Sequence, residues 1–502
     1  VPKEAPDREI VLKRWRPGAP SVVVAAVCIV VYVFAFAGAG LLTDFTGDDL
    51  MNLAKSRLHP AREHVLDLLF FFRPPQTYRP TGSAFYYALF ELFGFQALPY
   101  RAACYGLLLA NLWLAYAVGR RLTDSRRVAG LAVFLHAYHG EFWPIYYSTG
   151  YCYDLLCFFF YAAALLYYLH LRGSTPPGPR QIAVWCGLYL MALNAKEMAV
   201  SLPVVLLVHT LLFDPPSSWR PRLLARWAWS SARLATAGAA LTVVVLAARY
   251  VAPGSLQDLA AYNPDFRFTV FLDRVWNLLW YTVYRPDWLT PAVSAAIVFL
   301  LALAAAASRI RVLCLVWMVV GILPIAFIEQ RPLAAAYIPA FALALYLASL
   351  AASSTRGRIV LMVAFAIGVA LLHAWQGPFD FERRAEEGRY IRHVYNLLRQ
   401  ADPAFSQRTK VLILRDPFPE NPWASTFLLL LYADEKTLEI WRLDRLLASA
   451  TPTDRFSFQT VLSYTGDRFL VCNPDAFQEV TPREAAARTC VPQSGSRAPG
   501  AR

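Results

Sequence analysis

Long apolar runs separated by short polar segments dominate the chain as far as about residue 375. A bilayer core of about 30 Å takes roughly 20 apolar residues per helix. Runs of that kind occupy residues 21–42, 98–118, the stretch climbing from Val128, 153–170, 181–213 with one polar interruption, 234–251, 289–307, 312–328, 333–352 and 359–375. Both flanks of 181–213 are basic, so that run is read as two crossings, and the total is about 11. From Asp380 the pattern changes. Strand-like runs (Lys410 to Leu414, Leu438 to Leu443, Phe456 to Ser463, Arg468 to Cys472) alternate with helical ones (Tyr390 to Gln400, Ala424 to Ala433), which is the pattern of a small α/β domain. The expected organisation is a cytoplasmic segment at 1–20, a transmembrane module at 21–376, an extracytoplasmic α/β domain at 377–484 and a disordered tail at 485–502. An amphipathic stretch from Met51 to Leu69, with Leu53, Leu58, Val65, Leu66 and Leu69 at helical spacing, suits a helix in the interface plane or, equally, a solvated loop helix.

Composition supports this division. Apolar residues make up 57% of the chain, charged residues 17%, and mean hydropathy is +0.38, which excludes an ordinary soluble protein of this size. The net charge of +13 does not imply a nucleic-acid partner, because the basic residues punctuate the spans. Lys13, Arg14 and Arg16 precede the first span, Arg120, Arg121, Arg126 and Arg127 follow the second, and Arg220, Arg222, Arg226, Arg309, Arg311, Arg356 and Arg358 close later pairs. Short basic loops mark the cytoplasmic side. Ala35-Phe36-Ala37 mimics a signal-peptidase site, but the preceding apolar run is too long for a typical signal peptide, so an uncleaved first helix is expected. Of the eight cysteines, six lie in or beside apolar runs as small hydrophobes, and Cys472 and Cys490 are free to pair outside.

With this parity one face collects the polar residues that could carry chemistry. The external loop 43–97 opens with Thr46-Gly47-Asp48-Asp49, and the same face receives His139, Glu141, Lys196, Glu197, Glu329 and Arg331. Charged groups near a span are costly and tend to be functional where they recur on one side. Adjacent carboxylates can divide labour, one taking a proton and the other orienting an acceptor or holding a divalent cation; helix N-capping is the alternative. His136, His139 and Glu141 can hydrogen-bond a polar substrate. They lack the His-Glu-x-x-His order of metalloproteases, although a divalent metal at Asp48, Asp49, His139 and Glu141 stays open. Arg79, Lys196 and Arg331 are candidates to neutralise a phosphate, with snorkelling the simpler account of the lysine.

Three stretches together resemble the GT-C glycosyltransferases, and among them the O-mannosyltransferase-like group. These are the Asp48-Asp49 pair followed by Tyr78-Arg79-Pro80; His136-x-x-His139-x-Glu141 with Gly150 and Asp154 downstream, similar to a His-Pro-x-His-x-Glu pattern; and Lys196-Glu197-Met198-Ala199 running to Pro203, similar to Lys-Glu-x-Ala-x-x-x-Pro. Tyr337-Ile338-Pro339 is a weaker fourth. The resemblance covers residues 20 to 350. Ala137 stands in place of the proline, the segment from Glu141 to Asp154 is longer than usual, Ala334 stands where an arginine is expected, and the tetratricopeptide repeats of related enzymes are absent from the sequence. The resemblance implies an all-α polytopic GT-C fold and transfer of a sugar from a polyprenyl-phosphate carrier, with inversion, to a protein, glycan or lipid acceptor. It implies an active face on the periplasmic side of a bacterial inner membrane. Asp48 is the expected base, Asp49 its partner, and Tyr78, Arg79, His136, His139, Glu141, Asp154, Lys196, Glu197, Arg331 and Tyr337 the expected substrate contacts. A transporter or flippase of lipid-linked sugars, and an inactive membrane scaffold with an external binding domain, are the rival classes. The parity predicts that a reporter fused after Arg502 is active outside the cytoplasm; activity only in the cytoplasm would show the span count to be off by one.

Overall fold

The computed structural model describes residues 20–172, 176–251, 264–352, 356–376, 381–421, 423–433, 435, 437–451 and 453–492. The basic residues Lys13, Arg14 and Arg16 lie outside them. The first apolar run is α1 (Pro20–Ala37), continued by a 3-10 turn at Gly38–Leu42. The polar segment after it folds as α2 (Gly47–Arg57), α3 (Ala61–Leu69) and α4 (Pro80–Phe93). Then come α5 (Ala97–Thr123), α6 (Arg126–Ala137), the short α7 (Trp143–Tyr147), α8 (Cys152–Leu171), and the hairpin of α9 (Pro179–Ala195) and α10 (Leu202–Phe213). Helix α11 (Pro221–Ser230) meets α12 (Arg233–Val251) at 89°. The module continues through α13 (Phe268–Thr282), α14 (Pro291–Ala305), α15 (Arg309–Ala326), α16 (Tyr337–Ala351) and α17 (Arg356–Gln376).

A helix therefore stands in every apolar run. Among the described residues five segments are long and apolar enough to cross a bilayer by themselves, or six if the bent α11–α12 pair is one span. The others fall short of full crossings because α6, α9, α10 and α14 have only 12, 17, 12 and 15 residues. Two of these helices stop where polar backbone is needed: α6 gives way to Tyr138–Gly140, and the α9–α10 hairpin turns at Lys196. Polar ties join neighbouring helices. Asn111 Nδ2 donates to the Leu155 carbonyl (2.9 Å) between α5 and α8, and the buried Trp185 Nε1 to the Ala164 carbonyl (3.0 Å) between α9 and α8.

The stretch expected as one interfacial helix is instead two, α2 and α3, broken at Pro60, which caps α3. Leu50, Leu53 and Ala54 of α2 are fully buried, so this helix belongs to the core, whereas Leu58, Val65 and Leu69 stay exposed.

The C-terminal unit consists of α18 (Phe381–Ala401), β1 (Lys410–Arg415), α19 (Ala424–Ala433), β2 (Glu439–Arg442), α20 (Leu443–Ser449), β3 (Thr460–Tyr464), β4 (Phe469–Cys472) and α21 (Pro482–Ala487). Its sheet has the order β2-β1-β3-β4; β1 runs parallel to β2 and β3, and β4 is antiparallel to β3. The strand period of two sends Leu412 toward α20 and α21, and Val411 and Ile413 toward α18 and α19. The stretch expected as a tail is ordered in part: α21 ends at Ala487, and Cys490 is disulfide-bonded to Cys472. Residues 493–502 lie outside the described residues.

One buried carboxylate holds together one end of the module. Asp49 is fully buried in the first turn of α2. Its Oδ2 accepts from the Thr46 amide (2.9 Å) and Arg101 Nη2 (3.2 Å). Its Oδ1 accepts from Ser148 Oγ (3.1 Å), Thr149 Oγ1 (2.7 Å) and the Gly150 amide (2.7 Å). The Arg101 guanidinium, also buried, donates to the carbonyls of Thr43 (3.3 Å) and Asp44 (2.8 Å). Removing one partner of a buried ion pair strands the other, at a typical cost of about 3–5 kcal/mol. Asp49→Asn is expected to lower the thermal unfolding midpoint in detergent by an amount corresponding to a loss of about 3 kcal/mol or more, while Asp48→Asn stays within about 0.5 kcal/mol of the parent. Equal midpoints for the two variants would contradict this assignment.

Candidate active site

The two adjacent aspartates have different environments. Asp49 is enclosed as described, so the capping alternative applies to it: its carboxylate receives the Thr46 amide at the head of α2. Asp48 is exposed on the same first turn, where the helix dipole favours a negative group. Its carbonyl accepts from Asn52 Nδ2 (2.9 Å), and Asn52 Oδ1 accepts from Tyr153 Oη (3.1 Å). A side chain at Gly150 would come within 3.6 Å of Asp48 Cβ and 3.1 Å of Ser148 Oγ, so the small residue there brings the 148–150 turn alongside Asp48. Thus Asp48 sits next to the start of α8, which carries Tyr153 and Asp154.

Beyond Tyr153 lies a cluster of opposite charges. Lys196 Nζ is shared by both oxygens of Asp154 (2.7 and 2.8 Å). Arg79 Nη2 donates to Glu197 Oε2 (2.9 Å), with Nε 3.4 Å from Oε1. Arg249, in the last turn of α12, stands 3.7 Å from the same carboxylate and donates to the Leu193 carbonyl (2.7 Å). Three cations and two carboxylates meet here, and Asn52 and Tyr153 connect the cluster to Asp48. Burial pushes the Glu197 carboxyl up, but Arg79 and Arg249 outweigh it and hold it down at about 2. The Arg79 guanidinium also lies over the rings of Tyr78 (4.9 Å) and Tyr153 (5.5 Å), and Lys55 Nζ lies 5.4 Å from the Tyr78 ring centre.

The backbone that delivers Arg79 is strained and braced. Arg79 has φ 46° and ψ 76°, a region unfavourable for a non-glycine residue, and Pro80 then begins α4 with its ready-made helical φ. The preceding loop is tied to the buried Asp67, whose carboxylate accepts from Arg73 Nη2 (2.7 Å), the amides of Gln76 (2.9 Å) and Thr77 (2.7 Å), and Thr77 Oγ1 (2.8 Å). Every charged member of the cluster stands at a helix end or in a turn.

The histidine motif lies elsewhere. His136 is buried among Phe142, Phe158, Tyr337 and Phe341, with neither ring nitrogen hydrogen-bonded; its ring centre is 4.3 Å from that of Tyr337, whose hydroxyl is also unpartnered. His139 stacks on Tyr284 (4.4 Å); its Nε2 is 3.0 Å from the Thr282 carbonyl, and its Nδ1 accepts from the Glu141 amide (3.2 Å). Glu141 pairs with Arg285 (2.8 Å). His136 and His139 line an apolar cavity of about 1020 Å3 walled mainly by α13 to α17, with Tyr284, Arg285, Trp288 and His373 among its polar and aromatic groups. Phe158, one turn along α8 from Asp154, touches both His136 and Tyr337, so a single aromatic layer lies between that pair and the ion cluster. The four residues considered for a metal are not gathered: Asp49 is saturated, both His139 nitrogens are engaged, Glu141 holds an arginine, and no group of three or more His, Cys, Asp or Glu among the described residues could hold a metal ion. Arg331 is half-buried in the turn before the 3-10 segment Leu333–Ala336.

Lys55, Asp67, Arg101, Tyr153 and Arg249 were not singled out from the sequence. The available signal was a charged residue inside or at the end of an apolar run, as with Arg101 and Arg249.

No protein-family model matches the chain, and no curated protein sequence matches it. Solved structures do. ArnT from Cupriavidus metallidurans bound to undecaprenyl phosphate aligns with TM-score 0.50 and 11% identity over 89% of this chain and 93% of that one. The apo state of the same protein aligns with TM-score 0.47 and 13% identity over 83% and 85%. The archaeal oligosaccharyltransferase AglB from Archaeoglobus fulgidus, solved with an inhibitory peptide and a dolichol-phosphate, aligns with TM-score 0.44 and 12% identity over 84% of this chain and 64% of that one. The chain has the fold of the polytopic GT-C membrane proteins, joined to a small C-terminal α/β unit.

Proposed function

We propose that this protein is an inverting membrane glycosyltransferase that moves a sugar from a polyprenyl-phosphate carrier to a hydroxyl on an extracytoplasmic protein, glycan or lipid. The observation that carries the reading is the exposed carboxylate of Asp48 beside the Arg79–Lys196–Arg249 cluster. A base and a group of cations on neighbouring elements are what the transfer needs. Asp48 takes the proton of the acceptor hydroxyl as that oxygen bonds to the anomeric carbon, and the bond from this carbon to the carrier phosphate breaks on the opposite face. The carrier departs as its phosphate, and the cations meet the charge that develops on it. Asp49 serves by holding the head of α2, and Asp154 and Glu197 by keeping Lys196, Arg79 and Arg249 aimed. That a protein of the same fold was solved with undecaprenyl phosphate supports a carrier of this chemistry. The large apolar cavity lined by His136, His139 and α13 to α17 suits an aliphatic chain. In this reading the active face and the C-terminal unit lie on the periplasmic side of a bacterial inner membrane.

A transporter of the same lipids would place charged groups near mid-membrane on broken helices. Here Arg79, Asp154, Lys196, Glu197 and Arg249 all occupy helix ends or turns, and in the enzyme reading these ends lie at the rim.

In lipid nanodiscs with a panel of labelled polyprenyl-phosphate pentoses and hexoses, release of the polyprenyl phosphate is expected with at least one donor. Asp48→Asn should lower it by roughly 10²-fold or more with unchanged insertion and thermal midpoint. Near-parental turnover by Asp48→Asn would remove Asp48 from its role, and carrier flipping without sugar release would favour the transporter.

A further inference from the structure

The C-terminal unit makes its closest contacts with the segment that carries Asp48. Glu387 Oε1, on α18, accepts from the Gly47 amide (3.1 Å), and Arg392, one turn further, pairs with Asp44. Between them sits Gly388. A glycine within a helix is destabilising by itself, and its presence here has a steric reason: a Cβ would come within 3.0 Å of both the Asp44 Cβ and the Asp44 carbonyl oxygen, the latter a backbone atom. On the other side, a Cβ at Gly47 would lie 2.7 Å from Asn421 Nδ2. That amide is not free to swing away, because Asn421 Oδ1 accepts from the Trp423 (3.1 Å) and Ala424 (3.2 Å) amides at the head of α19. The apolar contact is continuous as well. Ile391, Val394, Ala424, Leu428 and Leu431 belong to the same buried cluster as Phe45 and Leu53, and the Tyr395 ring lies 4.2 Å from that of Phe95.

We infer that the C-terminal unit is a positioning clamp for Asp48. Asp49 anchors the segment 44–49 to the membrane module from one side, and α18 and α19 close on it from the other, so the turn of α2 that bears Asp48 holds one place. Glu387, Gly388 and Asn421 are positioning residues that act through α2. The inference rests on the catalytic reading of Asp48 and adds to it that the unit sets turnover rather than acceptor or carrier affinity. A displacement of about 1 Å at a reacting group can lower turnover about 10²-fold, so a loosened clamp is felt in kcat.

The test uses the full-length protein in nanodiscs, with Glu387→Ala, Glu387→Gln and Gly388→Ala. Gln keeps an acceptor oxygen for the Gly47 amide, and Ala at 388 favours helix in α18, so neither change weakens its own element. Hydrogen exchange read by mass spectrometry, with no substrate present, is expected to be about tenfold faster over residues 45–50 in Glu387→Ala and Gly388→Ala, and near parental in Glu387→Gln. Turnover on the labelled polyprenyl-phosphate sugars should fall about tenfold to hundredfold in kcat in the first two, with KM for the carrier unchanged and most of the rate restored by Gln. Parental exchange over 45–50 in both variants, or a raised KM with intact kcat, overturns the clamp. Full turnover by Asp48→Asn overturns the catalytic reading instead, while the exchange result still judges whether α18 and α19 hold the segment.

Discussion

The Asp49 end of the helical module depends on the burial of one carboxylate with all its acceptor positions filled. Asp49 draws together the head of α2, the first helical turns after residue 147 and the buried Arg101 of α5. An ionised carboxylate deprived of water is tolerated only when it is paired and hydrogen-bonded in this way. The consequence for chemistry is positional. With Asp49 immobile, its neighbour Asp48 is exposed on the first turn of a helix whose other face is core.

Similar bracing recurs around the cationic cluster. Asp67 fixes the loop that presents Arg79, Asp154 holds Lys196 with both oxygens, and Glu197 lies between Arg79 and Arg249. Each cation is restrained by a carboxylate. A rigid array of this kind stabilises charge that appears during a reaction without having to reorganise. The strained backbone at Arg79 fits the same picture, since such conformations persist where the surroundings over-determine them.

Periodicity made the helical module and the small sheet legible in the sequence: α19 begins and ends where the Ala424 to Ala433 run predicts, and β1 lies on Lys410 to Leu414 with one residue added. Local pattern could not tell which of two adjacent aspartates would be enclosed, because the partners of Asp49 come from residues 101 and 148–150. His136 is a related case. On an apolar helix it reads as a polar candidate, but the packing of Tyr337 and Phe341 from α16 against it decides its burial. Arg101 and Arg249 were hidden inside runs counted as crossings. That 51–69 folds as two helices with α2 buried depends on α19 and α4, which cover α2, contacts that no local pattern contains.

The central claim is that a lipid-linked sugar phosphate binds with its phosphate on the cationic cluster and its sugar toward Asp48. A structure of the Asp48→Asn protein in nanodiscs with a polyprenyl-phosphate sugar tests it most directly. The account predicts phosphate oxygens within hydrogen-bond distance of Arg79, Lys196 or Arg249 and the anomeric carbon on the side facing residue 48. A headgroup bound instead at His139 and Arg285, with residue 48 out of reach of the sugar, would contradict it.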